Sequence, residues 1–230
     1  MYNKARFLIT LTLSLYFFSS CNNKTATNTD KTDTATTSSA QSDTENSKMN
    51  MSDKMKMDNR LMSSMNTMMD KITNMRMTGD FDADFANMMI EHHQGAIDMA
   101  QMEISKGANE KIKAMAQNIL TIQTEEQSIL KDLVKNLNAP VKKSDSSQKH
   151  YELQAAMENM MNKMKGVQMT GNTDNDFVMM MIPYHESAIE MAKFELSNGK
   201  NRQFKEMAQK GITDKTKEIS EFKAWLNMNR

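Results

Sequence analysis

The sequence predicts an all-α fold, a four-helix bundle built from two tandem helical repeats with additional short Met-rich helices. Three observations carry this prediction. The 230 residues include 27 Met but only two Pro and seven Gly, a balance that disfavours a turn-rich sandwich or barrel. Apolar residues recur at helical spacing, and neither half shows a convincing alternating run of β-branched residues. The chain also matches itself at an offset of 92 without a gap. Residues 65–77, MNTMMDKITNMRM, align with 157–169, MENMMNKMKGVQM, and residues 84–103 align with 176–195.

Residues 1–20 read as an export signal. Lys4 and Arg6 precede a twelve-residue apolar core, Phe7 to Phe18, which is shorter than the roughly 20 residues of a membrane span. Phe18-Ser19-Ser20-Cys21 resembles a bacterial lipobox, which implies cleavage before Cys21 and lipidation of its thiol. The expected location is extracytoplasmic, in the cell envelope, anchored to a bacterial membrane through Cys21 and facing the periplasm or the cell surface. Cys21 is the only cysteine, so disulfides and multi-thiolate metal sites are excluded. Residues 21–48 are polar, with Ala the only recurrent apolar type, and are expected to form a disordered tether. Basic and acidic residues balance at 29 each, so no cationic field is available for nucleic acid.

The first repeat, 49–137, opens with a Met-rich helix over 60–77, followed by a helix ending near Ser105 and another running to about Leu137. Asp82 and Asn109 are the expected N-caps of these last two. A polar linker, 138–150, leads to the second repeat, 151–230, where Asp174 and Asn201 take the same places. The Met-rich segments are expected on the ends or flanks of the bundle. Met62, Met65, Met69 and Ile72 have heptad-like spacing and are expected to pack in the core. Met49, Met51, Met55 and Met57 either capture Cu(I) from a flexible segment or extend the amphipathic helix. His150, alone beside the linker, is expected to be solvated.

Winding residues 81–105 at helical pitch puts Phe85, Met88, Met89, His92, His93, Ala96, Met99, Ala100 and Glu103 on one face. Phe177, Met180, Met181, Tyr184, His185, Ala188, Met191, Ala192 and Glu195 repeat it, with Tyr184 in place of His92. Buried imidazoles and carboxylates need partners. Met88 and His92, Met89 and His93, and Met181 and His185 are i,i+4 pairs whose side chains are neighbours on the helix surface. Thioether with imidazole favours copper, Cu(I) above all, with Cu(II) or Ag(I) as further candidates. Met99 and Glu103 lie roughly 10 and 16 Å along the axis from His92, too far to join the same ion. Glu103 and Glu195 are expected either to pair with His or Lys between helices or to support a ligand from behind, and Met99 and Met191 are candidate additional ligands.

These residues resemble a known family. DFANMMIEHHQGAIDMA at 84–100 followed by Glu103, and DFVMMMIPYHESAIEMA at 176–192 followed by Glu195, are similar to the doubled signature of the domain-of-unknown-function 305 family. The resemblance covers about residues 60–228. It implies a ferritin-like helical bundle, an exported location and, for some members, copper binding in copper tolerance. By position it makes His92, His93 and His185 the ligands, with Met88, Met89 and Met181 beside them. The chain departs from the signature at Glu91, which replaces a Pro, and at Tyr184, which is expected to weaken or abolish a second site. Pro183 is expected to kink its helix.

Other metal chemistries fit poorly. No Glu-x-x-His motif exists for a di-iron centre, His185-Glu186 lacks the second His of a zinc peptidase, and no Cys-x-x-Cys-His attaches haem. The expected protein is not an enzyme. It buffers or sequesters Cu(I), with a copper-transfer partner or a second copy as candidate partners. The alternative is an envelope helical interaction protein whose Met-rich surface binds a partner and which has no physiological metal.

Overall fold

The computed structural model describes residues 51–137 and 147–229. The export signal, Cys21, the tether, Met49 and most of the linker lie outside the described residues. So do the side chains of Met51, Met55, Met57 and His150. Six helices follow in order: α1 (Met51–Thr73), α2 (Phe81–Lys106), α3 (Glu110–Asn136), α4 (Ser147–Lys165), α5 (Thr173–Asn198) and α6 (Arg202–Met228). Among the described residues there is no strand, and no helix is long and apolar enough to cross a membrane.

α2 packs along α3 and α5 along α6, and the two hairpins meet through α2 and α5. α1 and α4 cover the other side of α2 and α5. The Met-rich helices therefore form a flanking layer, and they pack through Met65, Met68 and Ile72 and through Leu153, Met157, Met160 and Met164. Met62 and Met69 of the expected heptad seam are only partly buried, while Met68 joins the core. All eighteen residues of the two predicted faces on α2 and α5 are buried. α5 runs through Pro183 as a single helix.

The turns into α2 and α5 are built alike. Gly79 and Gly171 adopt positive φ of 84° and 81°, the region that costs glycine least. Asp84 then accepts the backbone N–H groups of Thr78 and Gly79, and Asp176 accepts those of Thr170 and Gly171.

The expected caps Asn109 and Asn201 hold, but Asp82 and Asp174 do not cap their own helices. Asp80 and Asn172 do so. Asp82 reaches across the bundle and accepts the N–H groups of Lys200 and Asn201 at the start of α6. Asp174 does the same for Ala108 and Asn109 at the start of α3. A carboxylate two residues past the true cap faces away from its own free N–H groups, and here it meets the positive end of another helix. These reciprocal contacts set α2 and α5 antiparallel, each beginning where the other ends.

Candidate metal centre

Adjacent histidines on one helix point about 100° apart, and the structure uses that angle to send them to different layers. His92 faces the α1 and α4 side. Its ring stacks on Tyr184, the residue at the equivalent position of the second half, with centroids 4.0 Å apart. His92 Nε2 lies 2.9 Å from Ser187 Oγ, which is 2.8 Å from the Tyr184 carbonyl oxygen and 3.2 Å from Met160 Sδ. When the Ser187 hydroxyl donates to that carbonyl, Nε2 carries the imidazole proton and Nδ1 is a bare lone pair. The Tyr184 hydroxyl donates to the His92 carbonyl and sits 3.1 Å from Met68 Sδ, in space left by Gly95.

His93 and His185 face the α3 and α6 side. His93 Nε2 is 3.0 Å from Glu126 Oε2, whose carboxylate also meets Lys215 at 3.5 Å and Lys210 at 3.6 Å. His185 Nε2 is 2.8 Å from Glu218 Oε2, although the approach is not directed for a hydrogen bond. Among the described residues, Nδ1 of all three histidines is buried without a hydrogen-bond partner. Burial pushes each imidazole below its ordinary range, so all three are neutral at neutral pH. Burial pushes the Glu126 carboxyl up, but the His93 hydrogen bond and the lysines outweigh it and bring the carboxyl down to about 2.

The predicted ligands thus separate into two groups. Met89 and His93 line one cavity with Glu126 and Lys215, between all four bundle helices. Met181, like His185, is fully buried, and Met88 and His92 are buried together on α2. Tyr184 belongs to the His92 layer, so the loss of a histidine there does not touch the surroundings of His185. Met99 lies apart, as its distance along the helix requires, in a small cavity with Met102, Met169 and Glu103. Met191 is buried at the equivalent place on α5.

Among the described residues, Glu103 and Glu195 pair with neither His nor Lys. Each folds under the glycine that ends its helix, Gly107 or Gly199, and meets the carboxylate of Asp174 or Asp82. Burial, with the neighbouring aspartate adding to it, raises both to about 8. Two carboxyl groups side by side cannot both ionise cheaply. Each aspartate accepts backbone N–H groups, so the glutamate is the one that keeps its proton.

Sequence reading missed Met160, Ser187, Glu126, Glu218, Lys215 and Gln123. The offset of 92 pairs Met68 with Met160 and Glu126 with Glu218, a signal already in the chain. Among the described residues no three His, Asp, Glu or Cys side chains converge on one point. A metal ion here would complete its coordination with thioether sulfur, which together with imidazole suits copper. The unpartnered Nδ1 atoms and the buried methionines fit such an ion.

An internally duplicated helical bundle with imidazole, thioether and carboxylate groups inside its core defines the class of this protein. Within that class the chain belongs to the DUF305 family, a domain of unknown function, whose model matches residues 22–134 and 82–226. A solved DUF305 protein from Streptomyces coelicolor is 19% identical, with a TM-score of 0.53 over 66% of this chain and 95% of its own. CopM in its Cu(II)-bound form is 26% identical, with a TM-score of 0.50 over 65% of this chain and 97% of that one. CopM in its Cu(I)-bound form is 27% identical, covering 64% and 95%, with a TM-score of 0.48. No curated protein matches the chain.

Proposed function

We propose that the protein is a lipid-anchored, extracytoplasmic copper-binding protein that buffers or sequesters Cu(I) and contributes to metal tolerance, without turning over a substrate. The observation that carries this reading is the set of three buried, neutral imidazoles whose Nδ1 atoms have no partner. Leaving such a group unsatisfied costs about 1–3 kcal/mol, and a metal ion would relieve that cost. Because the rings are already neutral, binding displaces no proton from them near pH 7. His92, His93 and His185, with Met88, Met89 and Met181, are the candidate ligands among which copper would be held, and Met160 adds a thioether 3.2 Å from the Ser187 hydroxyl that meets His92. The 26% identity to CopM, a protein crystallised with Cu(II), supports copper as the ion.

The test is an anaerobic Cu(I) titration of the metal-free protein against a competing chelator. Replacing His92, His93 and His185 by Ala together should remove the tightest binding. Full wild-type stoichiometry and affinity in that variant would overturn the reading.

A further inference from the structure

The duplication supplies an internal control at the centre of the bundle. The offset of 92 pairs His93 with His185, Met89 with Met181, and Glu126 with Glu218. Beside these matched groups a buried position differs in charge, where Lys215 of α6 corresponds to Gln123 of α3. Both are in the core, 4% and 2% exposed.

The two surroundings differ in charge accordingly. On the His93 side the Glu126 carboxylate is already met by the ammonium of Lys215 at 3.5 Å, with Lys210 at 3.6 Å on its other oxygen. A buried carboxylate is stable only when paired, and here the protein supplies the cation itself. On the His185 side, among the described residues, no Lys or Arg pairs with Glu218. Its close partner is the His185 ring at 2.8 Å. Gln123 brings no charge, and its Oε1 is buried with no hydrogen-bond partner. A surface groove lined by Lys111, Met115, Asn118, Ile119, Glu218 and Glu221 opens beside Glu218, giving a cation a route to that carboxylate.

We infer that Lys215 is a built-in cation that closes the His93–Glu126 position to metal, whereas the equivalent position, His185 and Glu218, where the repeat has Gln123 in place of the lysine, is open to a single copper ion. This rests on the copper reading above and adds which half of the core is used and what decides it. The second repeat, which lacks a histidine at Tyr184, is then the half that keeps a working site on this side of the bundle.

Exchanging the residues between the halves tests it. Metal-free wild type, Lys215→Gln and Gln123→Lys, all full-length, are titrated with Cu(I) anaerobically under chelator competition, and the tightly bound equivalents are counted. Lys215→Gln should bind one more ion than wild type, and Gln123→Lys one fewer. Lys215→Met, which removes the charge but keeps an unbranched side chain, should show the same gain and replaces the Gln variant if that one unfolds. Wild-type stoichiometry in the folded Lys215 variants, or in Gln123→Lys, would overturn the inference. A wild type that binds no copper would refute the functional reading separately, and the Lys215 variants would still decide whether the lysine closes a site.

Discussion

The two carboxyl pairs at the bundle ends give the metal-free protein an unusual dependence of stability on pH. Glu103 and Glu195 keep their protons to about pH 8 in the folded chain, against 4.5 for an unperturbed group. An acid whose pKa is raised on folding destabilises the fold as pH climbs from the unfolded value to the folded one. The three histidines act in the opposite sense, because the unfolded chain takes up protons near 6.5 that the buried rings refuse. Below about pH 6.5 the unfolded state takes up protons on imidazoles that the buried rings refuse, while the folded state holds up to two extra protons on carboxyls, so the two effects oppose each other there. Above pH 6.5 the histidines drop out and the two glutamic acids remain. Stability should then fall by up to about 2.7 kcal/mol per unit, levelling off above about pH 8. Urea midpoints followed by far-ultraviolet circular dichroism from about pH 5.5 to 8.5 measure this directly. The double variant Glu103→Gln, Glu195→Gln retains a donor toward each aspartate but has no proton to lose, and should be flat above pH 6.5. A wild-type profile that stays level or rises from pH 6.5 to 8, or a double variant with the wild-type slope, would refute the assignment.

Two further outcomes follow from the same ends of the bundle. Gly107→Ala places a Cβ inside the Glu103 carboxyl and 2.7 Å from its carbonyl oxygen. It should cost about 1–3 kcal/mol, or roughly 2–12 °C in melting temperature for a domain of this size. Only the part due to the carboxyl should return in the Glu103→Ala background, because the carbonyl contact remains, as the same melts would measure. Asp82→Ala and Asp174→Ala each remove the acceptor for two N–H groups at the start of another helix. Each should cost about 1–2 kcal/mol in urea unfolding, and an unchanged midpoint would show that the cross-bundle caps contribute nothing.

Much of the fold was legible because the repeat and the 3.6-residue stripe are properties of the chain alone. Every residue placed on the inner faces of α2 and α5 is buried. Asp82 and Asp174 were misread because an aspartate near a helix start looks the same in sequence whether it caps its own helix or its neighbour's. The candidate site was legible only as far as α2 and α5. His92 and His93 share a wide stripe on a helical wheel, but a helix sandwiched between two layers divides such a stripe, and only the partners show where. Glu126, Glu218 and Lys215 lie on helices without histidine, and acidic or basic residues in an amphipathic helix read as solvated until a buried partner is seen. The offset between Lys215 and Gln123 was present in the alignment, but its meaning depends on the distance to Glu126.

The exchange of caps between the halves bears on how such a chain could arise and fold. Each half leaves the start of its own last helix to be completed by a carboxylate of the other, and each buries its histidine stripe against the other's. A single half made alone would expose that stripe and two uncapped N–H groups until it met a second copy. The two halves are therefore complementary to each other, and holding them in one chain makes their meeting an internal step rather than an encounter between molecules. Within that shared frame the halves differ, as Tyr184 and Lys215 show.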